Sequence, residues 1–336
     1  MKFSRNSLDL DADQEIARLM RFLQQTVRQS LRRGAVVGIS GGIDSSVVLA
    51  LSVRAFGPRH VVAIMMPDKD SDPISEAYAR ELAAKFGVEP VLENITPALT
   101  GFACYARRDA AIRRVFPEYD ADQGWKAKVV LPQDLLQAGT LNLFSLTVIA
   151  PDGDLQSRPL PPREMLEIVA ASNFKQRCRM ATLYYQAESR QFAVIGTANR
   201  NEHAQGFFVK YGDGGADLQP IAHLYKTQVY QLARSLGVPQ CIQDRTPTTD
   251  TYSAACDQQE FFFRLPFETL DLLWFALDHG VPIVETATVM GLTEAEVQRV
   301  FDDIQRKQRT TEFLRLQPPI PKPLSYELQT ARQHGS

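Results

Sequence analysis

The chain has 336 residues, 44% of them hydrophobic, which suffices for one large domain or for a domain carrying a substantial insertion. A net charge of -2 gives no electrostatic case for a nucleic-acid partner or an anionic membrane surface. The N-terminal MKFSRNSLDLDAD lacks a signal-peptide core, no segment reaches transmembrane length, and the four cysteines (Cys104, Cys178, Cys241 and Cys256) form no C-x-x-C pair, so a cytoplasmic protein with reduced thiols and no zinc site is expected.

In chain order, Asp13 to Arg33 reads as an amphipathic helix, with Ile16, Leu19, Leu23, Val27 and Leu31 at three- and four-residue spacing. The strand Ala35–Ile39 follows. It runs through Gly38, Ile39, Ser40, Gly41, Gly42, Ile43, Asp44, Ser45 and Ser46 into an apolar helix ending near Phe56. Two glycines let the backbone turn sharply and approach a ligand, and the helix start adds unpaired N–H groups and a positive dipole end that suit phosphate. Ser40, Ser45 and Ser46 can donate to phosphate oxygens, and Asp44 can hold magnesium. The loop has no Lys, which excludes the G-x-x-x-x-G-K-[ST] nucleotide loop. The structural alternative is a glycine turn with serines capping the helix.

His60–Met66 is an apolar run suited to a strand buried on both faces. Pro73 to Phe86 predicts a helix stopped by Gly87, and Pro90–Leu92 a short strand. Between Asn94 and Glu164 the pattern loses regularity. TLNLFSLTVIAPDGDLQSRPLPP predicts a β-hairpin, and the region is read as an insertion or lid without assignable chemistry. A helix from about Asn173, the strand Phe192–Ile195 and a helix Leu224–Leu236 ending at Gly237 resume the α/β alternation. The tail from residue 258 to 336 is expected to be helical, with Thr293 and Glu296 forming a capping box. The expected architecture is a single α/β domain over 1–336: a doubly wound parallel sheet with ligands at the carboxyl ends of its strands, an insertion at 94–164 and a helical C-terminal extension.

A second polar constellation follows the strand Phe192–Ile195. Thr197 and Glu202 would face the glycine loop from a neighbouring strand, and Glu202 could join Asp44 on magnesium. Lys210, Asp213, Asp217 and Lys226 bring fixed charges around Gly212-Asp213-Gly214-Gly215, and Phe207-Phe208 could offer an aromatic face to a planar ring. Each also has a bland reading, as a solvated carboxylate, a core aromatic or an ordinary turn.

The pattern S-G-G-I-D-S resembles the pyrophosphate loop of the ATP pyrophosphatases. Together with N-F-K-Q-R-C-R-M (Asn173–Met180), V-I-G-T-A-N-R-N-E (Val194–Glu202), G-F-F-V-K-Y-G-D-G-G-A-D (Gly206–Asp217) and L-Y-K-T-Q-V, it closely resembles the NAD synthetase family over about Gly34–Thr249 except the insertion. The resemblance implies an adenine nucleotide alpha hydrolase-like fold and ATP-dependent amidation of nicotinic acid adenine dinucleotide by ammonia. It implies that Gly38 to Ser45 wraps the ATP triphosphate, with Asp44 and Glu202 on Mg2+ and with Thr197, Lys226 and Thr248 contacting ATP. By the same resemblance Arg177, Lys210, Asp213 and Asp217 bind the deamido dinucleotide, Phe207 lies near its pyridine ring, and Asp44 and Lys226 carry catalysis. A homodimer with the dinucleotide site at the subunit interface is implied as well. Three departures stand out, the first being that the insertion Asn94–Glu164 is longer than is usual in the family. Tyr252–Glu260 replaces the family's usual Lys-Pro-Gly-Gln-x-Asp-Glu loop, and a C-terminal His-Lys pair is replaced around Phe313-Leu314. A fused glutamine-hydrolysing domain would need a few hundred more residues, so free ammonia or a separate glutaminase is the expected nitrogen source. The rival readings are another adenylating amide- or thio-forming enzyme and a nucleotide-binding homologue without turnover.

Overall fold

The computed structural model describes residues 2–131, 135–136, 144–248, 252–254, 258 and 262–321. In chain order, α1 (Ala12–Gln29), β1 (Ala35–Gly38), α2 (Ile43–Phe56), β2 (Val61–Met65), α3 (Pro73–Lys85) and β3 (Pro90–Leu92) make the first alternating run. Next come α4 (Thr96–Gly101), α5 (Cys104–Val115), β4 (Lys126–Val130), β5 (Ser145–Ile149), β6 (Leu155–Pro159) and α6 (Pro162–Glu188), which leads into β7 (Ala193–Ile195). Beyond β7 lie α7 (Arg200–Gln205), α8 (Lys226–Leu236), α9 (Gln240–Gln243), α10 (Phe267–Asp278), α11 (Ile283–Met290), α12 (Glu294–Thr310) and α13 (Glu312–Arg315).

The main sheet has the order β3-β2-β1-β7, parallel throughout, and a parallel bridge from Ile195 to Leu218 extends it beyond β7. Val36, Ile64 and Val194 pack against α6 through Leu183 and Ala187, while Ala35, Val37, Ala63, Met65 and Ile195 pack against α1, α2 and α8. Both faces are therefore covered, as the uninterrupted apolar strands require. Each fully buried Val or Ile contributes about 1.5–3 kcal/mol, so this double-sided burial fixes the strand ends that carry the site. This is the expected doubly wound α/β arrangement.

A second sheet, β4-β5-β6, is antiparallel and lies within the stretch expected as an insertion. The predicted hairpin is β5-β6. The third strand, β4, is not expected from the sequence, because no turn signal links it to β5 and the two pair across a longer stretch of chain. The sheet shares its core with α5 and the start of α6 through Ile112, Phe116, Val129, Val148 and Ile168. That packing also explains a second difference. α6 begins at Pro162, well before Asn173, because Pro occupies its first turn and Ile168 and Ala171 are buried.

α1 stops at Gln29, earlier than the periodicity suggests. Leu31 takes a positive φ of 54° and is 79% exposed, so it does not belong to the buried stripe. The tail helices α10, α11 and α12 enclose a core around Trp274, Val297, Val300 and Ile304, and α12 carries the expected Thr293/Glu296 capping box. Among the described residues no helix is long and apolar enough to cross a membrane.

Candidate active site

The glycine loop leaves the carboxyl end of β1 and enters α2, whose N-cap is Gly42 with no side chain capping it. Uncapped first-turn N–H groups at a helix of this length form an anion-binding end. Gly41 has φ +70°, and a Cβ there would stand 2.6 Å from the Ser75 carbonyl oxygen, so only glycine fits. Ser45 Oγ donates to the Gly42 carbonyl at 3.0 Å and accepts from Ser40 N–H at 3.3 Å. Ser40 and Ser45 line the cleft beside the loop, whereas Ser46 is fully buried and bonds back to Gly42.

A charged cluster closes the loop's far side. Lys226, the first residue of α8, is fully buried, and its Nζ lies 2.5 Å from Asp44 Oδ2. Asn199 Nδ2 donates to Asp44 Oδ1 at 2.9 Å. Asn199 also forms a capping box with Glu202 at the start of α7, and Gln258 Nε2 donates to Glu202 Oε1 at 3.1 Å. The start of α8 is braced in turn by Asp271, which accepts from Asn201 Nδ2 at 2.5 Å and from Thr227 N–H at 2.8 Å.

Electrostatics follow from this crowding. Burial and the adjacent Asp44 carboxylate push the Glu202 carboxyl well above the usual carboxylate range. Burial alone would weaken the hold of Lys226 on its proton, but Asp44 and Glu202 outweigh it and its pKa is raised. Two carboxylates that resist sharing a site suit a divalent cation, and two carboxylates plus substrate phosphates are a usual set for Mg2+. Among the described residues no group of three or more His, Cys, Asp or Glu offers an all-protein metal cage.

The loop and the cluster open into one cleft of about 620 Å³. Gly38 to Ser40 and Gly42 to Ser45 line it, together with Thr197, Glu202, Phe207, Asp213 and Thr248. Phe207 packs on Phe262 and Phe263, with ring centroids 4.9 and 5.3 Å away, and borders the cleft from this aromatic cluster. Asp213 accepts from Val209 N–H at 2.7 Å and shapes the turn there.

Six expected residues are not part of the cleft lining: Gly41, Ser46 and Lys226, described above, and Arg177, Lys210 and Asp217. Arg177 is exposed on α6, with Nε 3.4 Å from the Lys210 carbonyl oxygen. Lys210 Nζ donates to the carbonyls of Phe313 and Leu316, each at 2.9 Å, and so ties down the segment around α13. Asp217 accepts from Val194 N–H at 2.8 Å and from the Tyr184 hydroxyl at 3.1 Å, at the edge of β7. Of the altered loop Tyr252–Glu260, residues 252–254 and 258 are described; the remainder, including Cys256, lies outside the described residues.

Sequence reading missed several cleft residues. Arg179 on α6 donates to the Met66 carbonyl and to Asp68, each at 3.2 Å, and Arg245 donates to Ser75 Oγ at 2.9 Å. Both line the cleft and add positive charge around a space already suited to phosphates. Asn199 could have been found from its capping-box spacing to Glu202, but its bond to Asp44 joins the segments after β1 and β7, which are neighbours only in the sheet.

The sequence pattern of the NAD synthase family matches residues 15–115 and 155–318, well over half of the chain. The chain belongs to the NAD synthase family. One NAD synthase relative, the NH(3)-dependent NAD(+) synthetase of Mesorhizobium japonicum, is 48% identical over 93% of this chain and 97% of its own length. The NH(3)-dependent NAD(+) synthetase of Thermotoga maritima is 36% identical over 77% of this chain and 85% of its own. Among solved structures, the NH3-dependent NAD synthetase of Campylobacter jejuni superposes with a TM-score of 0.61 at 21% identity, covering 93% of this chain and all of the other. At that identity the likeness establishes the fold, which is the adenine nucleotide alpha hydrolase-like fold expected above. The family match leaves out residues 116–154, which contain β4 and β5.

Proposed function

We propose that this protein makes NAD by amidating nicotinic acid adenine dinucleotide with ammonia, cleaving ATP to AMP and pyrophosphate. The observation that carries this reading is the Asp44–Lys226–Asn199–Glu202 cluster set against an uncapped helix start at the carboxyl edge of the sheet, in a chain of the NAD synthase family.

A carboxylate is a poor acyl donor because its leaving group is oxide. In the proposed reaction a nicotinate oxygen attacks the α-phosphorus, the bond to the β-phosphate bridging oxygen breaks, and pyrophosphate leaves with that electron pair. Ammonia then attacks the acyl carbon, the carbon–oxygen bond to AMP breaks, and a proton leaves the nitrogen. Both nucleophiles belong to substrates, so the protein's task is placement and charge stabilisation.

The residues fit that division of labour. N–H groups of the loop from Gly38 to Ser45 and of the α2 start would hold the triphosphate, with the Ser40 and Ser45 hydroxyls as further donors. Lys226 stands beside Asp44 with its charge secured and would meet the negative charge that builds on pyrophosphate. Asp44 and Glu202 would hold Mg2+, which when bound supplies Lewis-acid stabilisation of the phosphates. Thr197 and Thr248, which both line the cleft, would contact ATP, while Phe207 and Asp213 would border the dinucleotide. Arg177, Lys210 and Asp217 are assigned to the dinucleotide side, with a second copy of the chain completing that side near exposed Arg177. Free ammonia is the proposed nitrogen donor, delivered with or without a separate glutaminase. Action in the cytoplasm on soluble substrates is part of the same proposal.

The test is incubation of purified protein with ATP, Mg2+, nicotinic acid adenine dinucleotide and ammonium. NAD and AMP should form in equal amounts. ATP consumption without NAD would overturn the reading.

A further inference from the structure

The segment that carries Thr248 and Gln258 is tied down at its middle by the antiparallel sheet. Gln258 N–H donates to the Pro247 carbonyl at 3.0 Å, so the two ends of the segment are joined. Between them, Ala254 N–H donates to the Ala127 carbonyl at 3.2 Å, and Ala127 N–H donates to Ser253 Oγ at 2.9 Å. Ala127 lies on β4, whose other edge is paired with β5, so residues 253 and 254 occupy the outer edge of that sheet. Tyr252 is buried among Phe116, Tyr119, Val129 and Val148, inside the core shared by α5 and the second sheet.

At its joined end the same segment meets the active site. Thr248 lines the cleft, and the Gln258 amide donates to Glu202 Oε1 at 3.1 Å. Tyr252 precedes Gln258 by only six positions in the chain, so the sheet and Glu202 hold two nearby points of one segment. The sheet lies largely in the stretch that the family pattern leaves out.

We propose that the antiparallel sheet β4-β5-β6 is a docking platform for this segment, and that Tyr252 is a positioning residue for the nucleotide site, acting through Gln258 on Glu202 and through Thr248 on the cleft wall. This gives the inserted sheet a task within the reaction proposed above, and it rests on that reading only for the identity of the final product. Gln258 holds Glu202 by its Oε1, leaving the carboxylate's approach to Asp44 defined. When Tyr252 loses its anchor, Gln258 and Thr248 lose theirs, and Mg-ATP binding weakens without a direct contact having been removed.

The experiment is calorimetric titration of Mg-ATP into the full chain, comparing wild type with Tyr252→Ala, Tyr252→Phe, Ser253→Ala, Gln258→Ala and the double variant Tyr252→Ala with Gln258→Ala. Loss of one hydrogen bond to a charged group predicts that Gln258→Ala and Tyr252→Ala each weaken Kd by about tenfold. The double variant should be no weaker than about twofold beyond the stronger single change, since both act on one contact. Tyr252→Phe keeps the ring in its core and should bind Mg-ATP more tightly than Tyr252→Ala; a Kd equal to that of Tyr252→Ala would also overturn the proposal. Ser253→Ala, which spares the core, should move Kd in the same direction by about threefold and covers the case in which Tyr252→Ala fails to fold. Effects of Tyr252→Ala and Gln258→Ala that multiply, or a Ser253→Ala Kd equal to wild type, would overturn the proposal. Wild-type NAD formation is scored separately, so failure of the product assignment leaves these Kd comparisons readable.

Discussion

Lys226→Met separates structural from chemical roles at the centre of the site. Methionine nearly matches lysine in length and reaches the same buried space, so the change removes a charge more than it removes packing. Lys226 is fully buried and its Nζ is 2.5 Å from Asp44 Oδ2. Removing one partner of a buried pair destabilises by about 3–5 kcal/mol when the other charge is stranded. Asp44 is not stranded to that degree. Its side chain is 15% exposed to the cleft, and Asn199 Nδ2 still donates to it at 2.9 Å. Water therefore recovers part of the loss, and the expected destabilisation is about 2 kcal/mol, a fall in Tm of a few degrees for a chain of this size. The chemical effect is larger. Losing one preorganised donor aimed at developing charge lowers kcat by about a hundred- to a thousandfold. Single-turnover assays following AMP and NAD, on protein checked for folding by circular dichroism, measure this directly. A kcat within about tenfold of wild type, with the Tm shift present, would refute the catalytic role and leave Lys226 as a counter-ion for Asp44.

Glu202→Gln tests the raised carboxyl. The native pKa lies above the unfolded one, so the free protein loses stability as pH rises out of the ordinary carboxylate range and through the native value, and the loss is absent at low pH. Urea unfolding across pH should show that slope in wild type and a shallower one in Glu202→Gln; parallel slopes would contradict the electrostatic account. Gly41→Ala must place a Cβ 2.6 Å from the Ser75 carbonyl oxygen at φ +70°, so it should cost about 1–2 kcal/mol in backbone conformation alone and raise the ATP KM by at least about tenfold. An unchanged KM would show that the loop does not hold nucleotide. Asp217→Ala leaves Val194 N–H and the Tyr184 hydroxyl without their acceptor and should lower stability by about 1–3 kcal/mol in thermal unfolding. A raised dinucleotide KM with unchanged Tm would instead place Asp217 purely on the substrate.

What the sequence made legible, and what it did not, divides along contact range. The run from Val36 to Leu49 shows its strand, turn and helix because β-branched residues, paired glycines and a capless helix start all act within a few residues of one another. The Asn199–Glu202 capping box is local and equally readable, as is the Gly237 helix stop. Arg179 and Arg245 reach the cleft only because α6 and the segment after α9 fold against the ends of β1 and β2, and no spacing rule announces that. The second sheet illustrates the same limit. Its hairpin was visible from a Pro-Asp-Gly-Asp turn, but β4 stands apart from β5 in the chain and its pairing partners on both edges are long-range. Gly206 is a further case. A Cβ there would stand 2.3 Å from Thr311 Cβ, so the glycine that opens the Gly-Phe-Phe block answers to a residue on the tail of the chain.

The most direct test of the central claim is the stoichiometry of the complete reaction. Wild-type protein with ATP, Mg2+, nicotinic acid adenine dinucleotide and ammonium should yield NAD, AMP and pyrophosphate in equal amounts, with none of the three formed when Asp44 is replaced by Ala. Amidation of a different carboxylate, such as nicotinic acid mononucleotide, with no NAD formed from the dinucleotide, would contradict the account.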